Sequence, residues 1–139
     1  MDVRLIWWPA LAMVVLTIVV WLRMYFMRVA QMKRERIHPQ SVALSAQVAA
    51  KLTDSQAADN FRNLFELPVL FYLALVAAAT TAQVNAATLA LAWAFVALRV
   101  AHSSIQCTYN KVIHRFYVYF LGGMVLWVLW AVLAYGLLR

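Results

Sequence analysis

The sequence predicts an all-α membrane protein built as a bundle of four transmembrane helices, and three observations carry that expectation. Hydrophobic residues make up 66% of the 139 and charged residues only 12%, whereas soluble globular chains run near ~45–50% apolar and ~25% charged. Four apolar stretches each approach the roughly 20 residues that a helix needs to cross a bilayer core. None of them alternates apolar and polar residues, and the chain holds only 3 Gly and 3 Pro, which excludes an outer-membrane barrel and the collagen-like and low-complexity classes. Residues 1–139 therefore read as a single integral membrane domain.

The first stretch, about Leu5 to Met27, is longer than a signal-peptide core and lacks both a basic leader and an Ala-x-Ala exit, so it reads as a retained span. An inner connection over 28–60 follows. Within it His38-Pro39 marks a break, and Leu44, Val48 and Leu52 at four-residue spacing predict a helix over Ser41 to Leu52, lying on the membrane surface. The second span is expected over Phe61 to Thr81, bent because Pro68 lacks the N–H that would bond back to Leu64. The short link Gln83 to Asn85 makes this span an antiparallel hairpin with the third, Ala86 to Ile105. The fourth runs from about Phe116 to Leu138, and its Gly122-Gly123 pair allows another helix to approach closely.

Twelve Lys and Arg against five Asp and Glu give a formal charge of +7. On a soluble chain that excess would raise nucleic acid as a partner. Here the basic residues gather beside hydrophobic ends, where the positive-inside rule and contact with anionic lipids account for them, and no nucleic-acid partner is expected. Arg28, Lys33, Arg34, Arg36 and Lys51 on one connection and Lys111 and Arg115 on another mark the cytoplasmic side; only Arg4 and Arg139 fall opposite. Both termini are therefore expected outside, with Trp7, Trp8, Trp127, Trp130 and Tyr135 suited to an outer aromatic belt.

Ionisable groups inside spans cost a few kcal/mol each and tend to face the bundle interior, so they locate candidate function. Arg23, the Arg62/Asn63/Glu66 group, and Arg99, His102, Ser103 and Gln106 all belong to one leaflet. Asp59, Asn63 and Glu66 share one helical face, and Arg99, His102, Ser103, Gln106 and Asn110 form a second stripe. At similar depth across the hairpin, Glu66 and Arg99 are expected to interact, since a buried carboxylate without a cation is costly. With Arg23, Arg28, Arg62, Lys111 and Arg115 around them, the cleft is net positive and suited to an anion. The single Cys107 forms no internal disulfide, and His102, Cys107 and His114 lack metal-ligand spacing, so no metal is expected. With the ionisable residues confined to one leaflet, no polar path crosses the bilayer, which disfavours a transporter.

These residues resemble the MAPEG superfamily, the membrane-associated proteins of eicosanoid and glutathione metabolism. Asn63-Leu-Phe-Glu66-Leu-Pro68 is similar to the family's Asn-x-x-Glu followed shortly by Pro. Arg99-x-x-His102-Ser103, with Arg115 sixteen residues after Arg99, has the spacing of the microsomal glutathione transferases. Arg115 also stands twelve residues before Trp127, as the thiolate-activating arginine of the family's leukotriene synthase stands before a tryptophan. Thr108-Tyr109-Asn110 and His114-Arg115 resemble the small bacterial branch.

The resemblance implies a homotrimer in the bacterial inner (cytoplasmic) membrane, binding glutathione as co-substrate between subunits near the cytoplasmic face. Arg115 would be the catalytic residue that holds the thiolate, and Glu66 and Asn63 would orient the peptide. Arg62, Arg99, His102, Gln106, Tyr109 and Asn110 would complete the binding site. The activity implied is transfer of glutathione or a small thiol to a lipophilic electrophile, or reduction of a lipid hydroperoxide, with the lipophilic partner entering from the bilayer. The chain departs from the family pattern at three positions, of which Asp59 and Gln106 favour an alternative, a non-catalytic scaffold or accessory subunit holding a lipid headgroup or a protein partner. Asp59 stands where the family's transferases carry arginine, Gln106 replaces a tyrosine, and Phe61 replaces a polar residue.

Overall fold

The computed structural model describes residues 1–138; Arg139, one of the two basic residues expected on the outer side, lies outside them. Among the described residues the chain forms six α-helices: α1 (Trp7–Arg34), α2 (Ser45–Lys51), α3 (Gln56–Asn63), α4 (Leu67–Thr80), α5 (Ala86–Cys107) and α6 (Val112–Leu137). Four helical segments are long and apolar enough to cross a membrane, α3 and α4 together making the second. Most large apolar side chains point outward, among them Trp8, Val15, Phe26, Phe120 and Trp127. That inversion of the soluble pattern is what lipid as solvent requires, and the chain is an integral membrane protein.

Helix α1 starts on a 3₁₀ turn, Val3–Ile6, whose N-cap Asp2 accepts the backbone N–H of Arg4 at 2.9 Å. It continues to Arg34, well past the expected end at Met27. Good helix formers fill residues 28–34 and nothing breaks the helix before the Glu35–Pro39 segment. The surface helix is shorter than expected. It covers only Ser45–Lys51, with Leu44 as an exposed N-cap and Leu52 as a buried C-cap in extended backbone, so Leu44, Val48 and Leu52 share no single apolar face.

The second span is broken rather than bent. Leu64 to Glu66 leave the helix, Glu66 takes a non-helical backbone (φ −99°, ψ −106°), and Pro68 falls in the first turn of α4, where its missing N–H costs nothing. Asn85 caps α5, its Oδ1 accepting from Ala87 N at 2.9 Å and Thr88 N at 3.0 Å, while Thr88 Oγ1 accepts from Asn85 N. Between α5 and α6, Asn110 adopts a left-handed conformation (φ 47°) and its N–H reaches Ile105 O at 2.9 Å. This closes α5 so tightly that α6 begins at Val112, four residues before the expected Phe116.

Helices α5 and α6 pack along their length, and α1 and α4 close the bundle around stacked Phe71 and Phe95, whose ring centroids are 4.5 Å apart. Gly122 and Gly123 are both buried inside the chain. A β-carbon at Gly122 would meet Leu98 of α5 at 3.8 Å, and one at Gly123 would meet Leu67 of α4 at 3.8 Å. Both distances are ordinary van der Waals contacts, so a small side chain would fit at either position, and the pair faces the chain's own helices. Trp7, Trp8, Trp127 and Tyr135 are exposed on the bundle surface, and Trp130 packs against the core.

Candidate functional site

At the end of the bundle that carries the 35–55 connection, α5 turns a polar face inward. Arg99, His102, Ser103 and Gln106 are all at most 3% exposed. A polar face of α3 meets them. Asn60 Oδ1 accepts from Ser103 Oγ (3.2 Å) and its Nδ2 donates to Cys107 Sγ (3.4 Å), while Asn63 Nδ2 donates to Gln106 Oε1 (3.2 Å). Arg99 Nη2 donates to Asn63 O at 2.8 Å, placing a cation on the C-terminal carbonyls of α3. Arg23 does the same for α5, donating to Cys107 O. Stapling of α1, α3 and α5 accounts for these contacts.

Two expectations from periodicity are corrected here. The face of α3 that meets α5 carries Asn60 and Asn63, not Asp59 and Glu66. Asp59 points the other way, accepting from Ser55 Oγ at 2.8 Å and facing Arg62 at 3.6 Å. Glu66 and Arg99 lie close enough to attract one another electrostatically, as expected, but they form no direct ion pair. The ion pairs among the described residues are Arg34–Glu35, Arg34–Asp54 and Arg62–Asp59. For Glu66 the helix break at residues 64–66 is the reason: it carries Glu66 round to an exposed position, while the carbonyl of Asn63, which accepts the Glu66 N–H at 3.4 Å, also takes the Arg99 guanidinium.

That position borders a cavity of about 230 Å³ lined by Asn63, Glu66, His102, Arg115, Phe116 and Tyr119, with Val112 at its edge. Arg115 is held in place by Asn110, whose Oδ1 accepts from Nη1 at 2.8 Å. Tyr119 presents its ring to Arg99 (5.6 Å from Cζ to the centroid) and to His102 (centroids 5.7 Å apart). Arg99 Nε and Nη1 and His102 Nδ1 are buried without a hydrogen-bond partner among the described residues. The structure thus brings Asn63, Glu66, His102 and Arg115 together around one space, with Asn110, Gln106 and Arg99 bonded to them from behind. Tyr109 is exposed and bonded to His114, and Arg62 lines a different cavity.

Sequence reasoning missed Asn60, Phe116 and Tyr119. The signal was present: Asn60 lies three residues before Asn63, and Tyr119 four residues after Arg115. A second, apolar cavity of about 270 Å³, lined by Leu67, Phe120, Gly123, Met124 and Trp127, shares Phe116 and Tyr119 with the first. A cation, a carboxylate and a histidine therefore stand at the edge of an apolar pocket. Among the described residues no three His, Cys, Asp or Glu side chains are grouped to hold a metal ion.

Fold and site together define an integral membrane helical bundle with a polar cavity near one end, opening beside an apolar one. A profile of the MAPEG family matches residues 6–135, and the chain belongs to that family. Membership is consistent with a role in glutathione-related or eicosanoid metabolism. Comparison with curated proteins and with solved structures gave no match.

Proposed function

We propose that the cavity binds glutathione or a similar small thiol and transfers it to a lipophilic electrophile held in the adjoining apolar cavity. One observation carries this reading: Arg115 and Glu66 border the same space, and that space meets the apolar cavity at Phe116 and Tyr119. A thiol is a weak nucleophile until deprotonated, and a guanidinium beside it favours the thiolate. Arg115, fixed by Asn110, holds the sulfur as an anion while its proton leaves to water through the open mouth. The thiolate then attacks the electrophilic carbon, forming a C–S bond as the leaving group departs. Glu66 takes the ammonium of the thiol peptide, and Asn63 its amide. With a lipid hydroperoxide the O–O bond breaks instead, and two thiols yield a disulfide, an alcohol and water.

Glu66 and Phe116 are exposed on the chain surface, and in this reading neighbouring copies of a homotrimer cover them. The basic connection lies on the cytoplasmic side of an inner membrane, with both termini outside. The test is calorimetry of glutathione binding to the detergent-purified protein, with a titration of the bound thiol. At an effective dielectric of about 20 and ~4 Å, one charge is worth roughly 4 kcal/mol. The open mouth reduces that to about 1–2 pKa units, so Arg115→Ala raises the thiol pKa by that amount. Glu66→Gln weakens binding roughly tenfold or more. If glutathione does not bind even at millimolar concentration, the proposal fails. The scaffold reading then takes its place, supported by the Asn63–Gln106 bond that already engages both amides.

A further inference from the structure

A cavity of about 310 Å³ lies on the other side of α3, enclosed by α1, α2 and the 52–55 segment and lined by Arg28, Leu52, Ser55, Asp59 and Arg62 among others. Its charges are loosely held. Arg28 is half-buried, with no hydrogen bond or ion pair among the described residues, and Arg62 meets Asp59 only at 3.6 Å. Asp59 gives one oxygen to Ser55 and leaves the other free of any closer partner. The backbone around the cavity is firmly built by comparison. Buried Gln31 ties the 53–54 segment to α1, its Nε2 donating to Thr53 Oγ1 at 3.0 Å and its Oε1 accepting from Asp54 N at 3.1 Å. Asp54 also lines the cavity but is committed to Arg34 at 3.1 Å, and the remaining wall, with two under-used guanidiniums and one under-used carboxylate, matches a ligand that carries both signs of charge.

Depth narrows the ligand further. Counting from Trp8 at one end of α1, Arg28 lies 20 residues along the helix, which at 1.5 Å per residue is about 30 Å, the thickness of a hydrocarbon core. Arg28 therefore sits at the edge of the hydrocarbon core when the tryptophan end lies at the opposite interface, and its long side chain reaches from there toward the lipid phosphates. We propose that this cavity binds the headgroup of an ethanolamine phospholipid: Arg28 and Arg62 hold the phosphate, Asp59 accepts from the ammonium, and Val48 and Leu52 cover the glycerol. The site is separate from the thiol cavity and does not depend on its function.

The experiment is lipid analysis of the intact protein purified in mild detergent, followed by competition in nanodiscs made with ethanolamine, choline or glycerol phospholipids. Ethanolamine lipid should be retained over choline lipid, whose quaternary ammonium cannot donate to Asp59, and over glycerol lipid, which has no cation. Arg28→Gln should lower retention roughly tenfold or more while glutathione binding stays at the wild-type value. Asp59→Asn should erase the preference for ethanolamine while keeping phosphate-dependent retention. Free phosphoethanolamine that competes as well as the lipid would assign the site to a soluble ligand and overturn the lipid proposal. Retained lipid that mirrors the bulk mixture would overturn it too, and that result needs no variant to fold.

Discussion

Substitutions at Asn110 separate the work of its backbone from that of its side chain. The residue sits at φ 47°, its N–H closes α5 onto Ile105, and its Oδ1 holds Arg115 at 2.8 Å. Alanine disturbs both functions. Its β-carbon in the left-handed region costs about 1–2 kcal/mol, and the lost bond to a charged but partly exposed group adds about 1 kcal/mol. Glycine removes the same hydrogen bond yet accepts the positive φ freely. Aspartate keeps an acceptor in place and adds a charge that pairs with Arg115. The expected order of stability in detergent unfolding is therefore Asn110→Asp near wild type, Asn110→Gly about 1 kcal/mol below it and Asn110→Ala about 2–3 kcal/mol below it. Thiolate absorbance of bound glutathione should follow a different order. Glycine and alanine both release Arg115 and should raise the thiol pKa equally, despite their unequal stability. A glycine variant with the wild-type thiol pKa would refute the positioning of Arg115 by Asn110. Equal stability of the two variants would refute the left-handed requirement.

Arg99→Met exchanges a buried cation, which has one hydrogen bond, the Tyr119 ring beside it and two nitrogens without hydrogen-bond partners among the described residues, for an apolar chain of similar length. Because removing an unpaired buried charge offsets the lost cap, stability should change by no more than about 1 kcal/mol, whereas Arg99→Ala, which also leaves a void, should lose about 3 kcal/mol or more by denaturant titration. Asn60→Ala strips Ser103 and Cys107 of their partner and should cost about 2 kcal/mol. Adding Ser103→Ala to it should cost little more, and full additivity in that double-mutant cycle would mean that the Asn60–Ser103 bond carries no energy.

The four spans were legible because a bilayer leaves the backbone so few solutions: twenty apolar residues without a strand pattern can only be a helix. The inward polar face of α5 was legible for a related reason, since Arg99, His102, Ser103 and Gln106 repeat at helical spacing in a segment that is otherwise apolar. Helix ends were not. Hydropathy stops at Met27, but the helix is set by backbone propensity and runs on through polar residues to Arg34. Glu66 was misplaced because it aligns with Asn63 only along an unbroken helix, and Asp59 was misplaced because its partners, Ser55 and Arg62, draw it to the far margin of α3. Pro68 signals a disturbance without saying which residues leave the helix, and three residues of irregular backbone rotate everything beyond them. Tyr119 escaped notice because a tyrosine among Phe116, Tyr117 and Phe120 looks like lipid-facing surface until tertiary packing sets its ring beside Arg99 and His102.

The break in the second span has a chemical consequence beyond its geometry. In a continuous helix the carbonyl of Asn63 would be consumed by the N–H of Leu67, and Arg99 would have only a carboxylate to satisfy it. Glu66, one turn beyond Asn63 on the same face, would supply that carboxylate. Such a pair would be neutral, buried and inert toward a ligand. Breaking the helix gives Arg99 a backbone partner that carries no net charge, and Glu66, without a close ion pair among the described residues, borders the same cavity as Arg115. The site thus owes the placement of Glu66 to the same three residues that interrupt the helix. The irregular segment is tolerated at this depth because its backbone N–H groups stay bonded: Leu64 N donates to Asn60 O at 3.1 Å, Phe65 N to Arg62 O at 2.9 Å and Glu66 N to Asn63 O at 3.4 Å.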